Sequence, residues 1–172
     1  MSKNFSANPK KTSFLSRLPQ DTIDTSDIAD RCKFNFSYLD TNQIGQNFID
    51  WNDSEGDSKL VKLTNKLKDF TRQSLGTWKN MKIGTGKRGG KGKRQSCLEI
   101  YGDFPSNSAF THPAHVPDDV LWARFRLDNE ARLIGFILPD KFLGQKNSAG
   151  QYYDTNTFYV VFLDEHHQFY QS

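Results

Sequence analysis

The stretch VLWARFRLDNEARLIGFILPD, residues 120–140, reads as two strands folded back on a polar turn, and it carries Arg124, Arg126 and Arg132. Arg124 and Arg126 are two positions apart, so both leave the same face of one strand, and Arg132 on the next strand joins them in one patch. Strands ordinarily favour valine, isoleucine and threonine. A face of guanidinium groups therefore either meets water or waits for an anion, and phosphate is the anion expected. The chain end, EHHQFYQS, adds His166, His167 and Tyr170. Imidazole titrates in the range useful for proton transfer, although a strand end meeting solvent is the plain alternative. Tyr170 suits either packing on the last strand or contact with a nucleic acid.

A second cationic feature is KNMKIGTGKRGGKGKRQS, residues 79–96. Residues 79–94 hold seven Lys or Arg, five Gly and no acid. Glycine at this density resists helix and strand order, so the segment reads as a basic loop. It does not satisfy the phosphate-loop pattern GxxxxGK[ST] in any register. Lys87, Arg88, Lys91, Lys93 and Arg94 are nevertheless able to neutralise phosphates and give salt-sensitive affinity without sequence choice. A solubilising loop is the competing reading.

The elements that must position these residues follow from periodicity. Residues 1–30, rich in Ser, Thr, Asn and Asp, read as a disordered or loosely packed arm with an anchored segment near Phe14, Leu15 and Leu18. KFNFSYLD (33–40) alternates as a half-buried strand. NQIGQNFIDW allows a short helix. Leu60, Leu63, Leu67 and Phe70 then mark an amphipathic helix capped by Asp57 or Ser58 and stopping near Leu75–Gly76. Its basic side, Lys59, Lys62, Lys66, Lys68 and Arg72, is the sort of face that usually just meets water. SCLEIYGD (96–103), the hairpin at about 121–139 and the apolar TFYVVFLD (157–164) supply further strands, the last covered on both faces. Phe125 and Leu127 are expected in the core. Trp122 joins them if a bulge intervenes, and otherwise shares the arginine face.

At 172 residues the chain is long enough to bury a core without disulfides, and Cys32 and Cys97 lack the spacing of a metal knuckle. A formal charge of +3 is too small to identify a partner. No apolar run approaches a membrane span and no secretion signal is visible, so the cytoplasm is the expected compartment. Strand, helices and then a run of strands describe an α+β fold: an antiparallel sheet of about four to five strands with the N-terminal helices on one face, residues 31–172 forming one domain.

LWARFRLDNEARLIGFI, followed by a second apolar strand and the terminal HHQFY, resembles the RelE/ParE toxin superfamily, in particular its YoeB-like branch. The likeness covers roughly 33–75 and 121–170. It implies a small toxin, of a toxin–antitoxin or phage-defence system, that cleaves messenger RNA, typically on the ribosome, with no metal or other cofactor. A cognate antitoxin protein is the implied partner. In such chemistry a base takes the proton of the ribose 2′-hydroxyl, an acid protonates the leaving 5′-oxygen, and arginine holds the charge on phosphorus. Carried onto this chain, Arg132 takes the phosphate-binding position, Glu130 the turn glutamate, and His166 or His167 with Tyr170 the terminal pair. Two residues separate His167 from Tyr170 here, where the family has none. Glu130 reads as a turn residue or an ion-pair partner before it reads as a base. The family's upstream carboxylate has no certain counterpart: Glu99 is one candidate base, His112 and His115 are others. Competing functions are the superfamily's non-nucleolytic style, a gyrase-type inhibitor, and a plain RNA-binding module served by the basic loop and the aromatics.

Overall fold

The computed structural model of the protein describes residues 9–52, 58–82, 96–128 and 131–171. Glu130 and the basic-loop residues Lys87, Arg88, Lys91, Lys93 and Arg94, together with the capping candidate Asp57, lie outside them. The chain divides into two units, residues 1–30 and 31–172. In the first, helix α1 (Pro9–Leu15) buries none of its side chains. Phe14, Leu15 and Leu18, expected to anchor this segment, are all exposed.

The second unit is α+β, built on one five-stranded sheet in the order β1-β5-β4-β3-β2. The strands are β1 (Lys33–Asn35), β2 (Leu98–Gly102), β3 (Leu121–Arg126), β4 (Arg132–Ile137) and β5 (Thr157–Asp164), with helices α2 (Lys59–Phe70) and α3 (Leu75–Asn80) between β1 and β2. The sheet is mixed. β2, β3, β4 and β5 are antiparallel neighbours, whereas β1 runs parallel to β5. β1 is also shorter than the alternation of residues 33–40 suggests, because the Asn35 side chain accepts the Ser37 N–H at 2.8 Å and turns the chain out of the ladder.

Ser58 caps α2, its hydroxyl accepting from the Val61 N–H. The helical reading of 58–75 is broken in two. α2 ends at Phe70, and Ser74 starts α3 by accepting the Thr77 N–H at 3.1 Å. Asn156 Oδ1 takes the Leu75 N–H at 2.9 Å, so a partner on a distant loop satisfies a donor at the new helix start. Gly76 therefore opens a helix instead of closing one. Residues 43–52 form turns in place of a short helix; Asn47 Oδ1 accepts from the Ile49 and Asp50 N–H groups, and Gln46 bridges to Leu163.

Both sides of the hairpin strands carry buried apolar clusters. One joins Ala123, Phe125, Leu133 and Phe158 to Leu63, Phe70 and Leu75 of the helices, with Phe70 stacked on Phe125 at 4.4 Å. The other joins Trp122, Ile134, Phe136 and Phe162 to Phe110, Val116 and Phe169. Trp122 is thus on the arginine face, 1% exposed, with no bulge in β3. Each such large side chain contributes about 1.5–3 kcal/mol on burial. All six residues of β4 and all of β5 except Tyr159 are buried, and β4 and β5 lie inside the sheet between β1 and β3.

Candidate functional site

Strand register decides which polar side chains meet. Glu99 lies opposite Arg124, and Arg126 opposite Arg132. Directly opposed residues share a face, so four charged groups from three adjacent strands emerge on one side. The terminal segment completes the enclosure: Glu99, Arg124, Arg126, Arg132, His167, Tyr170 and Gln171 line one groove of about 560 Å³.

Among the described residues, Glu99 is the only carboxylate on this lining. Its Oε2 accepts from Arg124 Nε at 3.0 Å and Nη2 at 2.7 Å, and Arg126 Nη2 stands 3.7 Å away. Arg132 is 2% exposed, and its Nη1 donates to the backbone carbonyls of Asp128 at 3.0 Å and Ala131 at 2.9 Å. It therefore braces the hairpin turn as well as facing the groove. Burial, followed by the charges of Arg126 and Arg124, draws the Arg132 pKa down to about 10. Arg126 is lowered as well, again by burial first and then by Arg124. Three guanidinium groups against one carboxylate form a site that an added anion relieves.

The tail reaches the groove through Asp164, a buried carboxylate at the end of β5. It accepts the N–H groups of His166 at 3.2 Å, Gln168 at 3.0 Å and Phe169 at 2.9 Å, and so folds the chain back over the sheet. His167 takes up a φ of 57° in this turn, the one non-glycine residue with positive φ among those described. Both histidines are exposed, and of the two it is His167 that lines the groove. Glu165, next along the turn, ion-pairs with Lys59 at the start of α2. Phe169 inserts into the second core cluster, the Ala109 N–H donates to the Gln168 carbonyl at 2.9 Å, and Asn107 Nδ2 donates to the Gln171 carbonyl.

Tyr101 ties two walls together. Its ring stacks on Tyr170 at 4.9 Å and 8°, and the Arg124 guanidinium lies 5.4 Å from its centroid. The Tyr101 hydroxyl is buried, which raises its pKa. Tyr101 shares the face of Glu99 and Arg124, and a register shift lies between its neighbours Ile100 and Gly102, with Gly102 at φ 89°. The other candidate bases sit elsewhere. His112 Nε2 is 4.0 Å from Asp118 and packs edge-on to Trp122, while His115 stacks on Tyr38 and contacts its carbonyl at 3.1 Å.

Asp164 and Tyr101 are the site residues that motif reading overlooks. For Asp164 a signal existed, an acid at the end of an apolar strand directly before a polar tail, which suits side-chain capping of a turn. Tyr101 follows Glu99 by two positions and would share its face in a regular strand. Among the described residues, no group of three or more His, Cys, Asp or Glu is arranged to hold a metal ion, and no helix is long and apolar enough to cross a membrane. No family model, curated protein or solved structure matches the chain.

Proposed function

We propose that the protein is an endoribonuclease that cleaves messenger RNA through side-chain acid–base chemistry in the arginine groove. The observation that carries this reading is the meeting of Arg124, Arg126 and Arg132 with Glu99, His167 and Tyr170 in one concavity of about 560 Å³. Arg126 and Arg132 hold the non-bridging oxygens of the scissile phosphate, and Arg124 fixes Glu99. The Glu99 carboxylate accepts the proton of the 2′-hydroxyl as the O2′–P bond forms. His167 donates a proton to the 5′-oxygen as the P–O5′ bond breaks. The products are a 2′,3′-cyclic phosphate and a 5′-hydroxyl, with atoms and charge balanced. Preorganised cations at the phosphorus are worth most where water is excluded, which favours the buried Arg132.

The resemblance of the hairpin and tail to RelE/ParE toxins agrees with this chemistry and supplies its setting. The protein acts in the cytoplasm as a toxin, on free or ribosome-bound message, and an antitoxin with an acidic segment neutralises it by covering the cationic groove. Purified protein incubated with end-labelled messenger RNA, free in EDTA and ribosome-bound in magnesium, tests the reading. Chelator-resistant cleavage with cyclic phosphate ends is expected, lowered about 10²- to 10⁴-fold by Glu99→Gln or His167→Asn. Intact RNA in every arm, with folded protein, overturns it.

A further inference from the structure

Two residues of the groove also belong to other cavities. Tyr170 lines a neighbouring hollow of about 510 Å³ with Tyr101 and Phe104, and Arg126 lines a cavity of about 700 Å³ beside α2 and α3. The arginine groove thus shares one lining residue with each neighbouring cavity, and Arg126, at the end of β3, is the one it shares with the cavity beside α2 and α3. We propose that the cavity beside α2 and α3 is a nucleobase pocket, which seats the base of a nucleotide flanking the scissile linkage. The proposal rests on the reading of the groove as an RNA-cleaving site and adds a specificity subsite to it.

The lining has the chemistry such an occupant needs. Phe70, Trp78 and Met81 give it an apolar wall. The Trp78 indole is held in place before any ligand arrives, since Nε1 donates to the Phe70 carbonyl at 2.6 Å and the ring meets Phe70 edge-on at 5.3 Å. A fixed aromatic face stacks any base with little loss of side-chain entropy. Gln73 is exposed at the same cavity, and its amide offers both a donor and an acceptor to a base edge. Lys66, Arg72 and Arg126 outnumber Asp69 and Asp128 on the lining, so the local charge suits a strand that carries phosphates. A cavity of about 700 Å³ falls within the about 300–1,000 Å³ of small-ligand sites.

Tryptophan fluorescence reads the pocket directly. Of the three tryptophans, Trp51 and Trp122 are 0% and 1% exposed, which leaves Trp78 as the accessible one. A 2′-O-methyl RNA trinucleotide, which cannot be cleaved, should quench the emission, and Trp78→Phe should abolish the quenching. Analogues abasic at one end should identify a single flanking position whose base is needed for quenching and for about tenfold of the affinity. Gln73→Ala, at an exposed position, should change the base preferred there. Emission unchanged at trinucleotide concentrations that block RNA cleavage, or equal quenching by every abasic analogue, overturns the pocket and leaves the nuclease reading intact. Cleavage absent and the trinucleotide unbound overturns both.

Discussion

Arg126→Met should stabilise the protein while weakening its hold on phosphate. Arg126 sits between two other guanidinium groups, its side chain 14% exposed, and its Nε is buried with no hydrogen-bond partner among the described residues. An unsatisfied buried donor costs about 1–3 kcal/mol. The opposing contribution is the contact with Glu99, which at 3.7 Å and with Glu99 35% exposed is worth about 0–1 kcal/mol. Methionine keeps much of the apolar stem and removes both the donor and the charge. The balance favours the variant by up to about 3 kcal/mol, a rise in Tm of up to about 12 °C for a chain of this size. Thermal unfolding followed by circular dichroism at neutral pH and low salt measures this. Inorganic phosphate should raise the Tm of the wild type more than that of the variant, since the anion relieves crowding that the variant has already lost. A variant less stable than wild type without phosphate would refute the reasoning and would make Arg126 a part of the fold rather than of a poised anion site.

Further outcomes follow from single side chains. His167→Asn should keep the tail turn, because asparagine tolerates the φ of 57°, and should lower RNA cleavage at least 100-fold, whereas His166→Ala should leave it unchanged; gel assays with end-labelled RNA compare them. A Cβ at Gly135 would stand 2.0 Å from the Tyr159 carbonyl oxygen and 2.8 Å from Phe158 Cε1, so Gly135→Ala should destabilise by about 1–3 kcal/mol or more in urea titration. Burial pushes the Cys32 and Cys97 thiols up to about 11. Both states keep the thiols protonated below pH about 8.5, and above it the unfolded chain loses protons first. Stability should therefore fall as pH rises from about 8.5 towards 11, by at most about 1.4 kcal/mol per pH unit for each thiol, and Cys32→Ala with Cys97→Ala should flatten that slope.

The arginine hairpin was legible because strand alternation alone puts Arg124 and Arg126 on one face, and the antiparallel pairing of β3 with β4 brings Arg132 opposite Arg126. Glu99 was within reach for the same reason, as a polar residue alternating on the preceding strand. Trp122 was ambiguous because the arginine face is itself covered by Phe110, Val116 and Phe169, so an apolar residue fits there without a bulge. That cover comes from a proline-rich loop and the tail, segments with no periodicity to read. The choice between His166 and His167 hinged on hydrogen bonds from the tail to Asp164, a tertiary arrangement that local sequence leaves open. The break between α2 and α3 has a local signal in Ser74, which caps α3, but Gly76 beside it is equally the residue type that stops a helix. The donor at Leu75 is met by Asn156, 81 residues away, and no window of sequence contains both.

The claim on which the account rests is that the scissile linkage sits among Arg124, Arg126 and Arg132. Arginine Nε–Hε resonances, assigned through Arg→Lys variants and followed by NMR while a 2′-O-methyl RNA dinucleotide is titrated, test it most directly. Saturable shifts of the Arg126 and Arg132 signals, together with the Tyr170 ring, are expected. Binding that leaves these three unmoved while resonances elsewhere shift would contradict it.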